Sequence, residues 1–72
     1  MRELDTCGLA CPLPLLKAKQ ALNAMASGER LRVHATDPGS WRDFRVFAEQ
    51  SGHRLLESSE DNGMFVYLLE KS

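Results

Sequence analysis

The residues of this chain best suited to chemistry are two cysteines four positions apart, Cys7 and Cys11, the second of which opens the segment Cys11-Pro12-Leu13-Pro14. The residues that follow, 15–22, are mostly strong helix formers. Proline is tolerated in the first turn of a helix, where its missing N–H has no intrahelical partner to lose. We therefore expect a helix to begin at Pro12, with Cys11 as its N-cap and the thiol at the positive end of the helix.

This position predicts a reactive thiol. A helix N-terminus stabilises an anion, so we expect it to lower the pKa of the Cys11 thiol below its ordinary value. Pro12 and Pro14 have no N–H to offer the sulfur, and their expected contribution is a rigid mounting for Cys11. Leu13 and Leu16 lie away from the apolar stripe of the helix and are candidates for an apolar docking rim beside Cys11. The alternative is that Leu16 packs under the edge of a sheet.

Composition indicates one small domain covering residues 1–72. Hydrophobic residues make up 43% and charged residues 26%, which is ordinary for a folded chain. A net charge of −1 excludes a strong basic field for nucleic acid or anionic membrane. The sequence shows neither a signal peptide nor a membrane span, so we expect no membrane association and a cytoplasmic location, where thiols stay reduced.

The apolar pattern predicts two helices. The stripe of the first, which we expect Gly28 to end, is Leu15, Ala18, Leu22 and Met25. The second is predicted to start with a capping box from Ser40 to Asp43, to run to Ser51 and to stop at Gly52, with Trp41, Phe44, Phe47 and Ala48 facing inward.

Four strands are predicted from alternation, apolar runs and turn residues. They cover 2–6, 31–36, 53–59 and 64–69, and a hairpin turn at Asp61-Asn62-Gly63 joins the last two. The order βαβαββ favours an α/β two-layer sandwich (α+β) with a mixed four-stranded sheet and both helices on one face. We expect the first two strands to be parallel and the last strand to lie centrally. One of the sets Met64/Val66/Leu68 and Phe65/Tyr67/Leu69 is then expected on the open face.

Nearly the whole chain resembles the TusA/SirA-like sulfur-carrier family. The resemblance rests on a spaced motif near the N-terminus and on scattered matches after it: Asp5-x-x-Gly8-Leu9-x-Cys11-Pro12-x-Pro14, Lys17, Lys19, Asp37-Pro38, Asp43, Gly52 and Glu70-Lys71. It implies the βαβαββ fold and a sulfurtransferase-like carrier rather than a turnover enzyme, with no cofactor. Cys11 is then the residue that accepts sulfur as a persulfide.

The same resemblance implies the partners. These are a cysteine desulfurase or rhodanese-like donor and an acceptor sulfur-relay protein, with Lys17 as a docking candidate beside Leu13 and Leu16. Members that act in tRNA thiolation can carry Glu at the position of Leu13, so tRNA thiolation and other sulfur-transfer pathways both stay open.

Asp5 and Gly8, which precede Cys11 in this motif, are candidates for supporting roles. Asp5 closes the first strand, and we expect its carboxylate to orient the loop by accepting from the backbone N–H of Gly8 or Leu9. Cys7 is either a small loop residue or a resolving thiol that discharges a Cys11 persulfide as a disulfide.

Three other functions compete with sulfur transfer. A thiol-disulfide redox or regulatory module would use Cys7 and Cys11, although their spacing is Cys-x3-Cys and not Cys-x-x-Cys. Zinc would need Cys7, Cys11, His34 and His53, which are scattered, so no metal site is expected. Nucleic-acid binding would need the five arginines of a predicted solvated face, Arg30, Arg32, Arg42, Arg45 and Arg54, and we expect no direct contact with nucleic acid.

Overall fold

The computed structural model describes all residues from 1 to 72, and its elements follow the predicted order. They are β1 (Arg2–Thr6), α1 (Leu13–Asn23), β2 (Arg30–Ala35), α2 (Ser40–Ser51), β3 (Arg54–Asp61) and β4 (Met64–Glu70). Neither helix is long and apolar enough to cross a membrane.

The four strands form one mixed sheet in the order β1-β2-β4-β3. β1 pairs with β2 in parallel, and β4 pairs antiparallel with both β2 and β3. The central position of β4 explains why its residues are apolar at nearly every position, since it has a strand on each side. At the β3–β4 turn, Asn62 and Gly63 have φ values of 52° and 81°, as the predicted hairpin requires. The predicted sandwich is confirmed.

The hydrophobic core lies between the helices and one face of the sheet. Phe65, Tyr67 and Leu69 of β4 face the helices, and the ring of Tyr67 stacks on that of Phe44 with 4.4 Å between centroids. Met64, Val66 and Leu68 therefore occupy the open face, where only Met64 is strongly exposed.

Ion pairs flank these apolar residues on the open face. Glu3 of β1 contacts Arg32 at 3.3 Å and His34 at 2.9 Å, and Glu70 of β4 contacts Arg30 at 3.3 Å and Arg54 at 3.8 Å. Three of the five arginines of the predicted solvated face are thus paired with carboxylates.

Helix α1 begins one residue later than predicted and ends earlier. Pro12 is its N-cap, and its carbonyl accepts from the Leu16 N–H at 3.0 Å, while Pro14 lies buried in the first turn. The helix ends at Asn23, where the Met25 N–H donates to the Leu22 carbonyl at 3.0 Å and the Lys71 ammonium donates to the same carbonyl at 2.8 Å. The prediction that Gly28 ends this helix is wrong.

Helix α2 ends at Gly52 as predicted, but its predicted capping box is wrong. Gly39 is the N-cap, and no side chain caps the helix. The Ser40 hydroxyl instead donates to the Asp37 carbonyl at 2.7 Å and lies 2.7 Å from the Tyr67 hydroxyl. The first turn of α2 is therefore fixed to the core by a buried pair of hydroxyls.

Replacement Tyr67→Phe removes this contact and keeps the ring. Because a hydrogen bond contributes about 1 kcal/mol net, we expect the free energy of unfolding in urea to fall by about 1 kcal/mol. Ser59→Ala, at an exposed position, is the control and is expected to change it by less than about 0.5 kcal/mol. Equal stability of Tyr67→Phe and the unaltered protein would contradict the assigned bond.

Candidate functional site

The parallel pairing of β1 and β2 determines where Cys11 lies. Thr6 pairs with Ala35 at the carboxyl ends of the two strands, so the connections that follow, 7–12 and 36–39, leave the sheet at the same edge. Cys11 is exposed in the first connection, and a methyl group on Gly39 in the second would lie 3.5 Å from its Cβ and 3.8 Å from its Sγ. The two connections therefore touch at the Cys11 side chain.

Cys11 precedes the N-cap of α1 and is not itself the cap. Its thiol turns instead toward α2, where Sγ donates a hydrogen bond to Asp43 Oδ2 at 2.7 Å. The Cys11–Pro12 peptide bond is cis. The prediction that Pro12 is the first helical residue and Cys11 the cap is wrong by one residue.

The acidity predicted for Cys11 is also wrong. The hydrogen bond to the Asp43 carboxylate stabilises the protonated thiol and raises the pKa of Cys11, and partial desolvation and the charges of Asp43 and Asp37 act in the same direction. Asp37 Oδ2 is buried without a hydrogen-bond partner, and a methyl group on Gly39 would lie 2.9 Å from it. Two carboxylates, neither in a salt bridge, thus surround a neutral thiol.

Backbone and side-chain hydrogen bonds hold the loop between β1 and Cys11. Asp5 Oδ1 accepts from the Cys7 N–H at 2.9 Å, and Thr36 Oγ1 accepts from the Gly8 N–H at 2.9 Å. The Leu9 N–H donates to the Thr6 carbonyl at 3.2 Å. Asp5 therefore orients this loop through Cys7, and the prediction that it accepts from Gly8 or Leu9 is wrong.

Gly8 makes the turn of this loop possible. Its φ is +85°, in the left-handed region that favours glycine. Its side-chain position is open, because a Cβ there would meet no atom within 4 Å. A larger residue at this position would be strained by its backbone conformation and not by crowding.

Cys7 is exposed but has different neighbours from Cys11. Its Sγ lies 3.5 Å from Met64 Sδ at the start of β4, and the interaction of the Cys7 side chain with the Asp5 carboxylate raises the pKa of the Cys7 thiol. Both cysteines are free thiols. A resolving role for Cys7 stays a prediction.

The helix surface next to Cys11 is apolar and exposed. The exposed fractions of Leu13 and Leu16 are 42% and 47%, so the alternative that Leu16 packs under the sheet edge is wrong. Lys17 is exposed on the same helix, and Pro12 is exposed at its start.

A shallow groove of about 270 Å³ between α1 and α2 continues from Asp43. Its lining combines apolar and charged side chains: Leu15, Lys19, Arg42, Asp43, Val46, Phe47 and Gln50. Asp43 belongs to the family pattern, but no local sequence motif indicates that Asp43 and Gly39 are neighbours of Cys11. The parallel order of β1 and β2 was the available signal, because it brings the starts of both helices to one edge.

The other candidate ligands and cations are dispersed. His34 contacts Glu3 and His53 contacts Ser72, and no group of three or more His, Cys, Asp or Glu side chains is placed to hold a metal. Arg45 lies over the Trp41 ring at 4.5 Å from its centroid, and Trp41 packs against the core.

Gly39→Ala tests the contact between the two connections. The new methyl group would force the Asp37 carboxylate to move and would cover part of the Cys11 side chain at ordinary contact distance, so we expect iodoacetamide to modify Cys11 several-fold more slowly. Cys7, which contacts β4, serves as the internal control, and its rate is expected to be unchanged. An unaltered ratio of Cys11 to Cys7 modification, read by peptide mass spectrometry, would show that Gly39 does not adjoin the thiol.

Comparisons with known proteins show which family this chain resembles. A profile for the family described as "Sulfurtransferase TusA" matches residues 2–71. The sulfur carrier protein TusA of Allochromatium vinosum is 58% identical over 71 residues, which are 99% of this chain and 93% of the relative. A putative sulfur carrier protein of Neisseria meningitidis serogroup A is 49% identical over 67 residues, 93% of this chain and 90% of the relative. The crystal structure of a SirA-like protein from Desulfitobacterium hafniense matches with a TM-score of 0.85 at 28% identity, covering 97% of this chain and 96% of that one. The resemblance seen in the motif is thereby confirmed, and the chain belongs to the TusA family.

Proposed function

We propose that this protein is a sulfur carrier that accepts sulfane sulfur as a persulfide on Cys11 and passes it to acceptor proteins. The observation that supports this most directly is the exposed Cys11 thiol at the shared edge of two helix starts, in a chain whose relatives are named sulfur carrier proteins. Sulfur transfer between proteins needs an accessible thiol on a fixed support and no enclosed substrate pocket.

The transfer conserves atoms and electrons. The Cys11 sulfur attacks the outer sulfur of a donor persulfide, and the S–S bond of the donor breaks as the new S–S bond on Cys11 forms. The donor cysteine leaves as a thiolate and takes up the proton that the Cys11 thiol loses. Delivery to an acceptor cysteine is the same exchange with Cys11 as the leaving thiolate, so neither step needs an oxidant.

The partners follow from this chemistry. We propose a cysteine desulfurase or rhodanese-like protein as donor and a sulfur-relay protein as acceptor, in tRNA thiolation or another sulfur-transfer pathway. Docking would use Leu13 and Leu16, which lie exposed beside Cys11, together with Lys17. The proposed compartment is the cytoplasm, where thiols are kept reduced.

A redox module that forms a Cys7–Cys11 disulfide is less well supported. Cys7 Sγ contacts Met64 on β4 and Cys11 Sγ contacts Asp43 on α2, so each thiol is held toward a different element. The experiment that follows distinguishes the two functions, because a disulfide and a persulfide change the mass in opposite directions.

Incubation with a cysteine desulfurase and cysteine is expected to add one sulfur atom to the protein, measured by intact mass spectrometry. Cys7→Ser is expected to retain the addition and Cys11→Ser to lose it, because Cys11 directly precedes the start of α1, which carries the exposed Leu13 and Leu16. A loss of two hydrogens with no added sulfur would support the redox module. Addition retained in Cys11→Ser would show that Cys11 is not the carrier.

Leu16→Glu tests the docking surface. It places a charge in the exposed apolar rim beside Cys11, so we expect sulfur uptake from the desulfurase to fall by roughly tenfold, the effect of about 1.4 kcal/mol in docking. Cys11 alkylation by iodoacetamide, measured on the same variant, gives the part of this fall that comes from thiol reactivity and not from docking. Leu56→Glu, at an exposed leucine of β3, is the matched control and is expected to keep normal uptake. Equal uptake by Leu16→Glu and Leu56→Glu would show that the rim is not part of the docking surface.

A further inference from the structure

The hydrogen bond between Cys11 and Asp43 raises a question that sulfur transfer alone does not answer. The thiolate is the nucleophilic form of cysteine, and reactive cysteines are usually activated by positive surroundings. Cys11 is surrounded by the opposite charge: Asp43 Oδ2 accepts from its Sγ at 2.7 Å, and Asp37 lies on the adjoining connection.

We propose that Asp43 is a positioning residue that holds the Cys11 thiol protonated and in one orientation while the protein is free. This inference rests on the proposed sulfur-carrier function and adds a means of selectivity to it. The carboxylate is an acceptor for the S–H group only in the neutral form of Cys11, and it repels the thiolate that would otherwise react with small electrophiles and oxidants.

Such a restraint is compatible with transfer from a docked donor. Holding two reacting groups together is equivalent to effective concentrations of about 10⁵ M or more in favourable cases. The reaction of Cys11 with a docked persulfide is therefore accelerated by proximity far more than it is slowed by the smaller thiolate fraction. A small molecule in solution gains nothing, so the carboxylate favours reaction with docked proteins over reaction with free electrophiles.

Among the charged groups around the thiol, Asp43 has the largest effect on the protonation of Cys11. Carboxylates face Cys11 from α2 and from the β2–α2 connection, and only Asp43 makes a hydrogen bond to it. Two cations, Lys19 of α1 and Arg42 of α2, line the groove beside Asp43, and neither contributes to the shift of the Cys11 pKa. Gly39, whose missing side chain leaves space next to the sulfur, brings no charge.

The test is the pH dependence of Cys11 alkylation by iodoacetamide in Asp43→Asn. Removing the carboxylate lowers the pKa of Cys11, so below the pKa of the unaltered protein the variant holds more thiolate. We expect Cys11 to react roughly threefold or more faster at pH 7, because a charge-assisted hydrogen bond is about twice as strong as a neutral one. Above both pKa values the two rates are expected to converge.

Three comparisons separate this proposal from a merely structural role. Cys7 in the same molecule and Glu49→Gln, which removes a charge from the exposed side of α2, are expected to show unchanged profiles. Asp43→Glu keeps a carboxylate and is expected to remain closer to the unaltered protein than Asp43→Asn. Asp43→Asn rates that are raised equally at every pH would indicate altered exposure of the thiol, and they would overturn the proposal, as would an unchanged profile.

Sulfur uptake from a desulfurase, measured on the same variants, keeps this inference distinct from the proposed function. A shifted alkylation profile with no uptake by any variant would overturn sulfur transfer and leave the role of Asp43 intact. Uptake by the unaltered protein with an unshifted profile in Asp43→Asn would overturn the role of Asp43 alone.

Discussion

The parallel pairing of β1 with β2 is the constraint on which the site depends. Parallel strands need a crossover connection, and the first helix of this chain supplies it. The carboxyl ends of both strands then lie at one edge of the sheet, with Thr6 opposite Ala35. Each strand is followed by a short connection and a helix, so the starts of α1 and α2 meet at that edge. Cys11 belongs to one connection and Gly39 to the other, and their proximity follows from this topology.

The packing of the core fixes the position of Asp43 as well. Phe44, the next residue, is fully buried, and its ring stacks on that of Tyr67. The Tyr67 hydroxyl lies against Ser40 in the first turn of the same helix. The start of α2 is thus attached to the sheet by a pair of stacked rings and by a pair of hydroxyls. Asp43 lies between these two attachments, so the position of its carboxylate is determined by the packing of the core.

Local sequence patterns predicted the architecture but not the chemistry of the thiol. Alternation, the apolar run of β4 and the Asn62-Gly63 turn are properties of neighbouring residues, and they led to the correct order of strands and helices. The partner of Cys11 is 32 positions away in the chain, and nothing in the local pattern encodes that contact. The position of Cys11 beside two prolines predicted an activating helix end, whereas the nearer carboxylate has the opposite effect on its pKa.

The same difference between local patterns and contacts of distant residues explains why the predicted helix ends were wrong. Ser40 and Asp43 have the spacing of a capping box, yet each forms a bond across the fold, with Tyr67 and with Cys11. Lys71 satisfies a carbonyl at the end of α1 from the other end of the chain, a role expected of a nearby glycine. In a small domain a large share of polar groups lies near other elements, so tertiary partners compete effectively with local caps.

Acidity does not distinguish the two cysteines of this chain. Both thiols are exposed, and a neighbouring carboxylate raises the pKa of each, Asp5 for Cys7 and Asp43 for Cys11. The two thiols differ in the rigidity of the residues that follow them and in the side chains next to them. Cys7 faces a flexible methionine side chain, whereas Cys11 is followed by prolines of fixed φ and by exposed leucines on a helix. Selection between the two thiols must therefore come from the geometry offered to a docking protein, since their electrostatic surroundings act in the same direction.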